Sequence, residues 1–128
     1  MSDTAENGSV SPIAQDLFAG IPVTDYGRSL TWYRLFLGAE PSFFPNDIEA
    51  VWEVGEHRYL YIEQVPDRSG GSMHMLMVED LDAVVAAAAE RGHDPARVER
   101  YDEGMRKVVY RDPDGNEISY GGVTAGKI

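Results

Sequence analysis

From Leu17 onward the chain alternates short apolar runs with turn-forming residues, and in two stretches the apolar period lengthens from two to about 3.6. The first stretch predicts a helix from Tyr26 to Leu37. Asp25 is placed to cap it, Leu30, Tyr33 and Leu37 share a face, and Gly38 stops it. The second predicts a helix beginning after Asp80, with Leu81, Val84, Val85 and Ala88 at i, i+3, i+4 and i+7, ending on Arg91 and Gly92 ahead of Pro95. A strand-like run closes in the same way before each helix, Ile21-Pro-Val-Thr-Asp25 and Leu76-Met-Val-Glu-Asp80, at an offset of 55 residues. Three strand candidates follow each helix: 41–44, 50–54 and 58–64, then 97–101, 106–111 and 116–121. Val54 to His57 suits a two-residue hairpin with Gly55 first, and Asp112-Pro-Asp-Gly115 is a turn signal. The order βαβββ therefore occurs twice, which predicts an α+β fold of two tandem modules, 17–64 and 72–122.

Length and composition fit that plan. The chain has 128 residues, 43% of them hydrophobic, enough for one core. Residues 1–16 are polar and aperiodic and read as a flexible tail, with 123–128 as a short C-terminal tail. The absence of cysteine removes thiol nucleophiles, thiolate metal sites and redox pairs. A net charge of −11 with no basic patch argues against nucleic acid, and equally serves plain solubility. The longest apolar run, Ala83 to Ala89, is too short to cross a bilayer, and no basic-then-apolar leader pattern occurs, so the cytoplasm is the default expectation. The expected partner is a small molecule.

The runs IPVTDYGRSLTWYRLFLGAEPSF, MLMVEDLDAVVAAAAERG and VVYRDPDGNEISY resemble, in this order, the two module starts and the closing hairpin of the glyoxalase/bleomycin-resistance/dioxygenase group, the vicinal oxygen chelate superfamily. The resemblance covers nearly all of 17–122 and implies a cup-shaped mixed sheet and a homodimer. Metal enzymes of the group carry ligands on the first strand of each module and on the last strand. The matching positions here are Phe18, Met73 and Ser119. A phenyl ring, a soft thioether and a neutral hydroxyl do not replace hard N/O ligands, so neither a metal nor another cofactor is expected. His74 lies one residue from a ligand position, which on a strand turns it to the opposite, helix-facing side. His57 and His93 read as exposed surface residues.

Strand parity then fills the cup. Phe18, Gly20 and Pro22 share its side with Met73, Met75 and Met77. A Gly55-Glu56 hairpin pairs Trp52 with Tyr59 and brings Tyr61 and Glu63 to the cup. A four-residue closing loop pairs Tyr110 with Glu117 and Val108 with Ser119, with Arg106 farther along. The expected ligand-binding residues are Phe18, Trp52, Tyr59, Tyr61, Met73, Met75, Met77, Arg106, Tyr110 and Ser119. Such a surface favours a flat or extended apolar molecule, by analogy with drug-sequestering resistance proteins. Three other readings compete: a metal-free isomerase, cyclase or lyase with Glu63 or Glu117 as base and Tyr110 as an alternative proton carrier; a metal-dependent enzyme, which the lost ligands oppose; and ordinary core packing, with Ser119 as filler.

Overall fold

The computed structural model describes residues 12–126 and 128; the predicted N-terminal tail lies mostly outside them. The first module contains β1 (Leu17–Val23), α1 (Tyr26–Leu37), β2 (Phe43–Asn46), β3 (Glu49–Gly55) and β4 (Arg58–Gln64). The second contains β5 (Met73–Met77), α2 (Leu81–Glu90), β6 (Arg97–Arg100), β7 (Met105–Arg111) and β8 (Glu117–Val123). Both helices begin as the sequence implies: an Asp25 carboxylate oxygen accepts from the Arg28 amide, and one of Asp80 accepts from that of Ala83. Gly38 closes α1 in the left-handed region at φ 70°, where glycine carries no Cβ penalty. Toward the C-terminus, Asp82 on α2 accepts from the Thr124 hydroxyl and the Ala125 amide, which ties residues 124 and 125 to the second helix.

Each module builds a four-stranded mixed sheet, β1-β4-β3-β2 and β5-β8-β7-β6, in which the first and last strands run parallel. The α+β plan of two tandem βαβββ modules is thus what the chain adopts. The two sheets share one core. In it, Phe36 on α1 stacks on Tyr120 at 5.3 Å and meets Tyr110 edge-on at 4.9 Å, while Tyr33 on the same helix leans against Trp52 at 6.1 Å. Trp52 and the Tyr110/Tyr120 pair belong to different sheets, so α1 lies packed between them. The opposite faces of both sheets point away from that core.

Two hairpins differ in register from the expectation, each by one residue. At the first, Gly55 pairs with Arg58 and Glu53 with Tyr59, a bulge that leaves Trp52 opposite Leu60. The two turn residues are Glu56 and His57, the latter at φ 64°. At the second, the Asp112 amide donates to the Asn116 carbonyl and the ladder begins with Arg111 opposite Glu117, so the loop has five residues, 112–116. Tyr110 consequently pairs with Ile118 and Val108 with Tyr120. A slip of one residue exchanges the faces.

Candidate functional site

The shifted registers correct three sequence-based placements. Trp52 and Tyr110 are buried in the shared core and do not line the outward cup face. The Trp52 indole N–H donates to the Ala39 carbonyl at 3.0 Å. Arg106 shares their side, its guanidinium donating to the Met105 carbonyl at 2.9 Å. His93, expected at the surface, packs edge-on against Trp32 at 4.9 Å and Phe36 at 5.5 Å, with Nδ1 buried and without a hydrogen-bond partner among the described residues. His57 is exposed as expected, bonded through Nδ1 to Asp16 at 2.7 Å. His74 does face the helix side. Its Nδ1 is buried without a partner among the described residues, and burial pushes the imidazole below its ordinary pKa.

What remains on the outward face of the first sheet is aromatic and acidic. Phe18 and Tyr59, side by side on β1 and β4, stack at 4.3 Å with planes 6° apart, and Phe43 on β2 meets Tyr59 edge-on. The Tyr61 ring lies over Gly20: a Cβ on that glycine would sit 2.6 Å from the phenol carbon and oxygen. Glu49 and Glu63 stand opposite each other in register on this same face, with Glu53 farther along β3.

The outward face of the second sheet carries Met73, Met75 and Met77 in a row along β5. They are 73%, 47% and 59% exposed. The sulfurs of Met75 and Met77 both lean over Gly121, at 3.0 and 2.8 Å from where its Cβ would be. Next to them on β8, Ser119 is buried opposite Met75, and Glu117 receives two bonds from Arg97 at 2.9 and 3.1 Å and one from Arg111 at 3.3 Å. These bonds, Arg97's above all, hold the Glu117 carboxyl below the usual carboxylate range. Glu117 was expected in an apolar setting, and the two arginines oppose its use as a base. Phe18, Met73 and Ser119, the residues at the group's ligand positions, do not fit a hard divalent ion. Among the described residues no cluster of three His, Asp or Glu side chains replaces them.

A hollow of about 900 Å³ lies between the modules on the helix side. Sheet one contributes Ala19, Trp52 and Leu60; the second module contributes Leu76, Tyr120 and, from α2, Val84 and Ala87. Burial pushes the Tyr120 phenol up to about 12. Tyr59 and the three methionines reach its mouth, whereas Phe18, Tyr61, Arg106, Tyr110 and Ser119 do not line it.

The feature that residue reading missed is the clasp at the closing turn. Asn116, fully buried, accepts on Oδ1 from the Gly70 and Ser72 amides and the Ser72 hydroxyl, and its Nδ2 donates to the Pro22 carbonyl and to Asp112. Asp114 adds bonds from the Thr24 amide and from Arg28. The DPDGN run signalled a turn, and nothing in it showed that the turn reaches across to the first module.

The family model described as a glyoxalase-like domain matches residues 18–120. Among solved structures, a glyoxalase/bleomycin resistance protein from Catenulispora acidiphila is 53% identical, with 86% of this chain and 99% of that one covered and a TM-score of 0.82. A member of the glyoxalase/bleomycin resistance protein/dioxygenase superfamily from Sphaerobacter thermophilus is 26% identical, covering 85% and 97%, at a TM-score of 0.66. The antibiotic-binding protein TnmS3 from Streptomyces sp. CB03234 is 23% identical, covering 87% and 97%, at 0.67. No curated protein matches. No helix among the described residues is long and apolar enough to cross a membrane. With its βαβββ repeat, its paired mixed sheets and a match running from β1 to β8, the chain belongs to the glyoxalase-like domain family, within the glyoxalase/bleomycin resistance/dioxygenase superfamily.

Proposed function

We propose that this protein binds an aromatic or extended apolar small molecule without transforming it and without a metal, in a cup that two copies of the chain close together. The carrying observation is the pair of outward faces, Phe18/Tyr59/Phe43 on one sheet and the methionine row on the other, on which Phe18, Phe43 and all three methionines are exposed. Stacked rings and adaptable thioethers suit flat or irregular apolar ligands. One chain brings only Tyr59 and the methionines to a common mouth; a second copy closes the cup, if its methionine face meets the aromatic face of the first. The outer edges of β1 and β5 have no strand partner among the described residues, so main-chain pairing between copies has a place to form. Charge favours the same match: Glu49, Glu53 and Glu63 stand on one face, and Arg97, Lys107 and Arg111, with Glu99 and Glu117, on the other. A binding role is also what the structurally similar TnmS3 is named for.

Sedimentation equilibrium on wild type, Phe18→Asp and Met75→Asp, followed by titration of each with a panel of planar antibiotics, tests the reading. Wild type should be dimeric and bind a panel member, and both variants should become monomeric and lose that binding. A monomeric wild type, or variants that dissociate and still bind with wild-type affinity, overturns it.

A further inference from the structure

The hollow between the modules shares Tyr59 and the three methionines with the cup faces at its mouth, but its body lies on the helix side and has a different chemistry. Its body is apolar, lined by Leu60, Leu76, Val84, Trp52 and Tyr120. Its volume of about 900 Å³ falls in the range of small-molecule sites, roughly 300–1,000 Å³. Against a chain charge of −11, the ionisable groups lining it are Arg58, Arg91, Glu53 and His74, an excess of positive charge. Arg58 and Glu53 are exposed and stand at the rim, while Arg91 is half-buried. Arg91 is anchored to the end of α1: Nε donates to the Leu35 carbonyl at 2.6 Å and Nη2 to that of Phe36 at 2.8 Å, while Nη1, beside Gly38, has no partner among the described residues. His74, on the wall, is kept neutral by burial and adds no competing charge at neutral pH.

We propose that this hollow is a second ligand site, taking an amphipathic organic acid whose apolar body lies between Trp52, Leu76 and α2 and whose anionic end meets Arg91. The assignment stands whether or not the outward faces form a cup, because Trp52, Leu60, Leu76, Val84 and Ala87, which line the body of the hollow, belong to the helix side, and only its mouth reaches the outward faces. Ala87 and Val84 project into the hollow from α2, and Phe18 and Phe43 belong to the outward face, so variants at these positions separate the two sites.

The test uses full-length protein carrying Trp32→Phe, in which Trp52 is the remaining tryptophan. Its emission is quenched with 10-bromodecanoate, and decanoate and decyltrimethylammonium compete, matched in tail and opposite in head. Quenching should be saturable and reversed by decanoate but not by the cation. Ala87→Phe and Val84→Phe, each checked for native circular dichroism, should weaken the acid at least tenfold. Phe18→Ala and Phe43→Ala should leave it within twofold. Arg91→Lys should keep the preference for the acid and Arg91→Gln should abolish it. Absence of saturable quenching overturns the proposal, as does indifference to both filling variants. Loss of binding in Phe18→Ala would move the ligand to the cup, and an affinity that falls as protein concentration rises would give the hollow to a second copy; either result also overturns it.

Discussion

The Tyr33 hydroxyl donates to Asp112 Oδ2 at 2.9 Å across 79 residues of sequence, joining the helix of the first module to the closing turn of the second. Both groups are buried, and burial next to the carboxylate pushes the phenol far above its ordinary pKa, so the proton stays on Tyr33 at any working pH. Tyr33→Phe should cost about 1.5–3 kcal/mol, the range for a hydrogen bond to a charged group. Asp112→Ala should cost more, because it strands the hydroxyl together with the Asn116 amide that the same carboxylate accepts. Urea denaturation measures both, and equal, negligible losses would show that the clasp carries no energy.

Trp52 and Phe18 should behave oppositely. Trp52 is 3% exposed in the core, and Trp52→Ala should cost about 3–5 kcal/mol through lost burial and the cavity left behind. Phe18 is 48% exposed, and Phe18→Ala should cost less than about 1 kcal/mol while removing the stack on which the proposed cup ligand rests. Thermal melts beside ligand titration separate the two. A stability loss in Phe18→Ala as large as that in Trp52→Ala would make the outward face ordinary core.

Acid should weaken the fold through two histidines. Burial is the leading cause that lowers the pKa of His74 and of His93, and the Arg91 charge adds to it at His93. The unfolded chain takes up these protons near pH 6.5 and the folded one only at lower pH. Their contribution is therefore complete above pH 6.5 and declines as pH falls through the folded-state values. The urea midpoint should drop between pH 7.5 and 5.5, and the His74→Gln, His93→Gln double variant should show a smaller drop. An identical drop in both proteins would place the acid sensitivity elsewhere.

Element order, both helix caps and the offset of 55 residues were legible because each rests on local signals: an Asp before an amphipathic run, a Gly after it, a change of period. Strand faces were legible only where register did not intervene. On β1 and β5, which start no hairpin, parity placed Phe18 and the methionine row correctly on the outward side. On β3 and β7 each face depended on the length of a loop, and one residue of error at Val54 and at Asn116 carried Trp52, Tyr110 and Arg106 to the wrong side. The clasp and the hollow were invisible for a different reason. They join groups from both modules, such as Pro22 with Asn116 and Leu60 with Val84, and no spacing within one module encodes such a meeting.

Metal should be incidental. The ring of Phe18, the thioether of Met73 and the buried hydroxyl of Ser119 offer poor donors to zinc, nickel, manganese or iron. Elemental analysis of protein purified without chelator should find each of these well below one equivalent, with ligand binding unchanged by added chelator. One tightly held equivalent would contradict this assignment.

Glu117 decides how much acid–base chemistry the second sheet can offer. A useful general base has a pKa near the working pH, which requires its carboxyl to be raised from the ordinary value of about 4.3. Here the shift has the opposite sign: two bonds from Arg97 and one from Arg111 stabilise the charged form and make the carboxylate a weaker proton acceptor. A ¹³C carboxyl titration of Glu117 should give a midpoint below that ordinary value in wild type. Arg97→Ala should move it upward, and Arg111→Ala by less, since Arg97 donates two bonds and Arg111 one. If a substrate is found, Glu117→Gln should leave its turnover intact, because this group does not carry the proton. A wild-type midpoint near neutrality would show that the arginines do not hold the carboxylate charged, and loss of turnover in Glu117→Gln with the fold preserved would return it to the list of bases.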